Sequence, residues 1–128
     1  MEPLPHILVI DDEAGIRHII KLALAKFGVS VSEASNGETG LASALAGDPD
    51  VIIVDLRLPD IPGHQVADLY RHQGGQAPII LLSASGELEQ MARHPAITTS
   101  LAKPFKLAQL WKTVESVLPP SAHEEYAP

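Results

Sequence analysis

Three short apolar segments, each followed at once by polar residues, constrain the fold of this chain more than any other feature. They are HILVI at residues 6–10, VIIV at 51–54 and PIILL at 78–82. The residues that follow them are Asp11 and Asp12, Asp55, and Ser83. Segments of this length that are apolar throughout, without alternation, are typical of parallel strands that are buried on both faces. The sequence therefore predicts a central parallel sheet.

Weaker strand signals at residues 29–34 and 98–102 alternate with these segments and with helical patterns. Helices are predicted from about Ile16, after Asn36-Gly37, after Gly63, from about Glu87 to Arg93, and after Phe105. Turn residues end most of them, at Gly28, Gly47-Asp48-Pro49, Gly74-Gly75 and Pro119-Pro120. The side chains predicted to face the core are Ile16, Ile19, Ile20, Ala23, Leu24 and Phe27, then Leu41, Ala42 and Leu45, then Val66, Ala67, Leu69 and Tyr70, and finally Leu107, Leu110, Trp111, Val114, Val117 and Leu118.

Alternating strands and helices indicate an α/β protein, a doubly wound parallel sheet with helices on both faces. The chain has 128 residues, which is an ordinary length for one domain. We expect a domain over residues 1–119 and a mobile tail or truncated linker over residues 120–128. Ligands of open sheets lie beyond the carboxyl ends of the strands, so the site should be sought there.

Composition excludes several classes of function. The formal net charge is −7, the wrong sign for binding nucleic acid or an anionic membrane. There is no cysteine, so disulfides, thiolate metal sites and thiol catalysis are excluded. No apolar run approaches the roughly 20 residues that span a membrane, and the N-terminus lacks a basic signal region. A soluble cytoplasmic protein is the simplest expectation.

Five polar side chains should meet at the carboxyl edge of the predicted sheet. They are Asp11, Asp12, Asp55, Ser83 and Lys103. Two carboxylates about 5 Å apart repel by roughly 3 kcal/mol at an effective dielectric constant near 20, so three of them need a compensating cation. Oxygen ligands without histidine or thiol favour a hard ion, and a site with few protein ligands suits Mg²⁺ better than Ca²⁺.

The order of these residues resembles the receiver domain of bacterial response regulators. The matching motifs are Asp11-Asp12 after HILVI, Asp55 with Pro59 and Gly63 in DLRLPDIPG, Ser83-Ala84 after PIILL, and Lys103-Pro104-Phe105. The resemblance covers residues 6–118, and five matches in order are far more specific than any one alone. It implies a five-stranded, flavodoxin-like sheet with strand order 2-1-3-4-5.

The resemblance also implies the chemistry. Asp55 would be the phosphoacceptor, attacking the phosphorus of a phosphohistidine to form an acyl phosphate. Mg²⁺ would be held by Asp12, by Asp11 through water, by Asp55 and by the backbone carbonyl of Arg57. The roles implied for the other residues are phosphoryl binding by Ser83, Ala84 and Lys103, and a cis peptide bond between Lys103 and Pro104.

Partners follow from the same resemblance. It implies a histidine kinase or histidine phosphotransfer protein as donor, a downstream protein target or output domain, and room for a phosphorylation-dependent dimer. Two features depart from the family pattern. Ser100 stands where an aromatic residue commonly relays phosphorylation to the output surface. The segment from Ser83 to Lys103 is slightly short, with Pro95-Ala96-Ile97-Thr98-Thr99 in place of the usual glycine-and-acid turn. These departures bear on the usual aromatic switch and the usual dimer surface, and they leave the phosphorylation chemistry unaffected.

Other interpretations remain open at this point. Asp11 and Asp12 alone could be favourable acids at a helix N-terminus, and Asp55 alone could form a turn. A metal-dependent phosphatase with Asp55 as nucleophile is a second hypothesis, although dehalogenase-type enzymes need an acid where Arg57 stands. A third is a receiver-like binding module that is never phosphorylated. The six histidines show no metal-ligand spacing.

Overall fold

A parallel five-stranded sheet forms the centre of the protein, in a computed structural model that describes residues 4–84 and 94–118. The strand order is β2-β1-β3-β4-β5, and every neighbouring pair is parallel. The strands are β1 (His6–Ile10), β2 (Ser30–Ala34), β3 (Val51–Asp55), β4 (Ile79–Ala84) and β5 (Thr99–Lys103). The predicted topology is confirmed.

Successive side chains of the central strands enter two separate apolar cores, because neighbouring residues of a strand point to opposite faces. Ile7, Val9 and Ile53 belong to one core, and Leu8, Ile52 and Val54 belong to the other. Each of these side chains is at most 2% exposed. Burial on both faces explains why these strands are apolar throughout, as the sequence indicated.

Four described helices cover the two faces of the sheet. They are α1 (Ala14–Ala25), α2 (Gly37–Gly47), α3 (Gly63–His72) and α4 (Leu107–Val117). Ile20 and Leu24 of α1 pack in the first core with Leu110 and Val114 of α4. Ala44 of α2 and Val66, Ala67 and Tyr70 of α3 pack in the second core. The sheet is thus wound on both sides, as predicted.

Several residues predicted to be in the core are instead at the surface. Ile19 is 48% exposed, and the others in this group are Phe27, Ala42, Leu45, Leu69 and Leu107. In α2 the buried residues are Gly37, Gly40 and Ala44, because the helix lies too close to the sheet for larger side chains. A Cβ on Gly40 would be 2.6 Å from Ile10 Cδ1. Close packing of small residues therefore leaves Ala42 and Leu45 of the predicted face exposed, whereas Leu41 is partly buried against the second core.

Phe27 and Trp111 form an aromatic stack at the edge of the first core. Their rings are nearly parallel, at 4°, and their centroids are 4.1 Å apart. Phe27 lies just after α1, and Trp111 lies on α4. The stack joins these two helices at the surface, which explains why Phe27 follows the apolar period of α1 and is nevertheless 41% exposed.

The end of β4 differs from the sequence prediction, whereas the end of the first helix agrees with it. β4 continues two residues beyond the predicted Leu82, so Ser83 and Ala84 belong to the strand and pair with Ala102 and Lys103. Gly28, predicted to close the first helix, has a positive φ of 77° that suits glycine. The predicted helix at 87–93, the Pro119-Pro120 stop and the tail at 120–128 lie outside the described residues.

Candidate phosphoryl and metal site

The carboxyl ends of three strands bring two carboxylates and one ammonium group together. Asp11 follows β1, Asp55 ends β3 and Lys103 ends β5. Lys103 Nζ is 3.1 Å from Asp11 Oδ2 and 3.2 Å from Asp55 Oδ2. One lysine therefore bridges two carboxylates that are distant in sequence, as the parallel sheet predicted.

Asp12 completes a cluster of three carboxylates. One oxygen from each of Asp11, Asp12 and Asp55 lies within 4.8 Å of the others. Asp11 is fully buried and Asp55 is 6% exposed, whereas Asp12 is at the surface. With Lys103 the four groups carry a formal charge of −2, and every ligand atom is a carboxylate oxygen. The residues present therefore fit a hard divalent cation such as Mg²⁺.

Burial raises the pKa of Asp55 above its ordinary value, and the neighbouring charge of Asp11 raises it further. The charge and hydrogen bond of Lys103 lower that pKa, as does a backbone hydrogen bond from Arg57, but they do not cancel the rise. The ionised carboxylate is thus held in an unfavourable place. A bound cation would relieve this cost and favour the ionised, nucleophilic form of Asp55.

Lys103 keeps its charge at this site. Burial pulls the pKa of the ammonium group down, but the hydrogen bond and charge of Asp11 and the charge of Asp55 outweigh burial and leave that pKa raised. The side chain as a whole is 23% exposed. A permanent cation therefore stands beside Asp55.

Both the side chain and the backbone of Asp11 are held by groups that the sequence did not single out. Glu13 N–H donates to Asp11 Oδ1 at 2.9 Å. Arg17 Nη1 donates to the Asp11 carbonyl at 2.7 Å, and Arg17 Nε donates to Glu33 at 3.1 Å. Arg17 was missed because its helical position indicates only a solvent-facing cation, and its partners become neighbours only in the fold.

Gly63 shapes the loop that follows Asp55. A Cβ at Gly63 would be 2.2 Å from the carbonyl oxygen of Asp55, so only glycine fits. Gly63 N–H donates to the Leu56 carbonyl at 2.7 Å, and Leu56 N–H donates to the Leu82 carbonyl at 2.8 Å. The glycine of the sequence motif is therefore needed for the close approach of α3 to the end of β3.

Of the remaining predicted residues, Arg57, Ser83 and Ala84 line an open cleft of about 300 Å³, whereas Ser100 and Pro104 do not. Ser83 is 2% exposed, and its hydroxyl donates to the Ala84 carbonyl at 3.2 Å. The Lys103-Pro104 peptide bond is cis, as expected. Ser100 lies in β5 opposite Leu81, on the strand that ends in Lys103. The residues that line the cleft are Asp12, Glu13, Asp55, Arg57, Ser83, Ala84 and Lys103.

Comparison with known proteins identifies the family. The sequence profile of the response regulator receiver domain matches residues 7–115. The chain belongs to this family. Receiver domains of response regulators are modules of two-component systems that interact with kinases, and they bind Mg²⁺ at their acidic site.

Two curated relatives are transcriptional regulators. The transcriptional regulatory protein CusR of Escherichia coli K12 is 32% identical over 114 residues, which is 88% of this chain and 50% of CusR. ResD of Bacillus subtilis is 31% identical over 122 residues, which is 94% of this chain and 50% of ResD. This receiver thus spans about half the length of the curated relatives that it matches.

Solved structures of receivers have the same fold. The chemotaxis response regulator CheY4 of Vibrio cholerae has a TM-score of 0.83 and 32% identity, covering 90% of this chain and 99% of CheY4. The response regulator TrrA of Thermotoga maritima, solved in complex with Mg²⁺ and BeF, has a TM-score of 0.83 and 33% identity, covering 90% of this receiver and all of TrrA, at 100%. In the described parts of this receiver, no helix combines the length and apolar character needed to cross a membrane.

Proposed function

We propose that this receiver accepts a phosphoryl group on Asp55 from a phosphohistidine of a histidine kinase or a histidine phosphotransfer protein. A carboxylate oxygen of Asp55 forms the new bond to phosphorus, and the phosphorus–nitrogen bond of the donor breaks. The electron pair of that bond returns to the imidazole nitrogen. The product is an aspartyl phosphate, and its formation switches the contacts of the receiver with a downstream protein target or output domain.

The observation that carries this proposal is the position of Lys103 Nζ, 3.2 Å from Asp55 Oδ2 and 3.1 Å from Asp11 Oδ2. A fixed cation beside the nucleophile is suited to stabilise the negative charge of the transferring phosphoryl oxygens. It also holds the attacking carboxylate in place. Simple acidic capping of a helix would not require a lysine from the far edge of the sheet.

Mg²⁺, when bound, would neutralise the acidic cluster and the phosphoryl oxygens together. Asp12 and Asp55 would hold it directly, Asp11 through water, and the Arg57 carbonyl would complete the protein ligands. The Asp11 carboxylate also accepts hydrogen bonds from the Glu13 N–H and from the Lys103 ammonium group, so it is already oriented. Ser83 and Ala84, at the end of β4, would contact the phosphoryl group after transfer.

The surface beside the site suits a protein donor. Ile19 and Leu107 are 48% and 46% exposed, on α1 and α4, and they border an apolar groove that reaches Lys103 and Pro104. Exposed apolar side chains of this kind mark protein interaction surfaces. A partner that contacts this groove would present its phosphohistidine close to Asp55.

Intact mass spectrometry tests the proposal. After incubation with Mg²⁺ and acetyl phosphate, we expect one phosphoryl adduct that is stable in acid and labile in base. The variant Asp55→Asn should give no adduct. The matched control is Asp48→Asn, an exposed aspartate at the end of α2 that lies far from the site, and it should be phosphorylated like the wild type.

Either of two results would favour a different function for the site. Steady hydrolysis of unrelated phosphate esters over many turnovers would favour a phosphatase with Asp55 as nucleophile. Binding of Mg²⁺ without any adduct would favour a receiver-like binding module. The domain limits 1–119, the tail, a cytoplasmic location and a phosphorylation-dependent dimer stay predictions alongside the proposal.

A further inference from the structure

The first turn of α2 is capped by a residue from a different part of the chain. Asp60 Oδ1 accepts the Gly37 N–H at 2.8 Å, and Asp60 Oδ2 accepts the Glu38 N–H at 2.8 Å. Asn36 satisfies the next two N–H groups, through its side chain to Thr39 at 2.8 Å and its carbonyl to Gly40 at 3.0 Å. Three of the N–H groups that the helix leaves open, those of Gly37, Glu38 and Thr39, are therefore bonded, two of them by Asp60, and the Gly40 bond is the first regular bond of the helix.

Asp60 belongs to the loop that carries the proposed site residues. The loop joins Asp55, the proposed phosphoacceptor, to Gly63 at the start of α3, and it includes Arg57. The loop also packs directly on the helix end, because a Cβ at Gly37 would be 2.5 Å from Ile61 Cγ1. Two hydrogen bonds to one carboxylate fix its orientation as well as its position.

The rest of the loop is fixed close to the sheet. Leu56 N–H donates to the Leu82 carbonyl, and Gly63 N–H donates to the Leu56 carbonyl. Pro59 has no N–H to donate. Asp60 thus ties the outer part of the loop to α2, while Leu56 ties its base to β4.

We propose that Asp60 is a positioning residue of the metal site, which sets the affinity for Mg²⁺ by holding the backbone of Arg57 in place from α2. The inference rests on the proposed function, because it concerns the same site. Asp60 itself contacts neither the phosphoryl group nor the metal. Groups that orient a metal ligand from outside commonly change affinity by about 10-fold or more when they are removed.

Asp60→Ala and Asn36→Ala form a matched pair for the test. Each removes a side-chain cap from the same helix end, so both should lower the Tm. Only Asp60 belongs to the loop after Asp55. Mg²⁺ alone is titrated into each variant of the 128-residue chain, and the amide NMR signals of residues 55–58 give the Kd. The rate of phosphorylation by acetyl phosphate is a second readout.

We expect Asp60→Ala to raise the Kd for Mg²⁺ about 10-fold and to slow phosphorylation at limiting Mg²⁺, with recovery at saturating Mg²⁺. Asn36→Ala should leave the Kd unchanged. Asp60→Asn, which retains one acceptor oxygen, should give an intermediate Kd. Equal Kd values for Asp60→Ala and Asn36→Ala would overturn the inference alone. Failure of the wild type to bind Mg²⁺ would overturn the proposed function and the inference together.

Discussion

The ammonium group of Lys103 reaches the carboxylate of Asp55 across an intervening strand. Lys103 ends β5 and Asp55 ends β3, and β4 lies between them in the sheet. The two charged atoms are nevertheless 3.2 Å apart. The long side chain of lysine spans the width of β4, so a shorter cation could not replace it from the same position.

Loss of the buried charge at Asp55 should stabilise the metal-free protein at neutral pH. Because the pKa of Asp55 is raised in the fold, the unfolded chain releases this proton at lower pH, and stability falls as pH rises from the ordinary value of 3.8 through the raised pKa. Asp55→Asn removes that cost. Its Tm in EDTA should exceed the wild-type Tm at pH 7, and the difference should vanish below pH 3.8.

Calorimetry at several pH values checks this expectation. Asp48→Asn, an exposed substitution of the same kind, controls for the general loss of one negative charge. A Tm of Asp55→Asn below that of the wild type at pH 7 would contradict the burial of an unfavourable charge.

Removal of the Lys103 side chain should change Mg²⁺ affinity and the rate of phosphorylation in opposite directions. Lys103→Ala leaves the acidic cluster without its internal cation, so Mg²⁺ should bind more tightly. The transferring phosphoryl group would lose a fixed positive charge, and the rate of phosphorylation by acetyl phosphate should fall on the order of 100-fold. Calorimetric titration and mass spectrometry measure the two quantities, with the exposed Lys112→Ala as control. If Lys103→Ala weakened Mg²⁺ binding as well as slowing phosphorylation, the two roles would not be separate.

A methyl group at Gly63 should disturb the loop after Asp55. The Cβ of Gly63→Ala would collide with the Asp55 carbonyl oxygen, so the free energy of unfolding should fall by about 1–3 kcal/mol, and phosphorylation should slow. Urea denaturation measures the free energy of unfolding. Gly15→Ala in α1, where a Cβ meets no atom within 4 Å, should not destabilise the fold. Equal free energies of unfolding for Gly63→Ala and Gly15→Ala would refute the close approach of Gly63 to the Asp55 carbonyl.

The stack of Phe27 on Trp111 should contribute to stability although it lies at the surface. Phe27→Leu keeps an apolar side chain but removes the ring contact, which is worth about 0.5–1.5 kcal/mol. The fluorescence of Trp111, the single tryptophan, reports urea unfolding directly. Leu22→Ala, at a residue that is 56% exposed on the neighbouring α1, should change stability by less. A larger loss of stability in Leu22→Ala than in Phe27→Leu would contradict a stabilising stack.

Much of the fold and the convergence of Asp11, Asp55 and Lys103 could be predicted because parallel strands end at one edge. The exposure of Ile19 and Leu107 could not, since a helical period does not tell how much of the helix meets the sheet. The contacts of Arg17 and Asp60 also escaped prediction. They join segments that become neighbours only when the chain folds, and their sequence contexts indicate ordinary surface charges.

Chemical mapping of the phosphorylated residue is the most direct test of phosphoryl transfer to Asp55. The receiver is phosphorylated in the presence of Mg²⁺ and reduced with borohydride, which converts an aspartyl phosphate to homoserine, and its peptides are sequenced by mass spectrometry. Homoserine is expected at position 55 and at no other aspartate. Homoserine at Asp11 or Asp12, or its absence from a protein that binds Mg²⁺, would contradict phosphoryl transfer to Asp55.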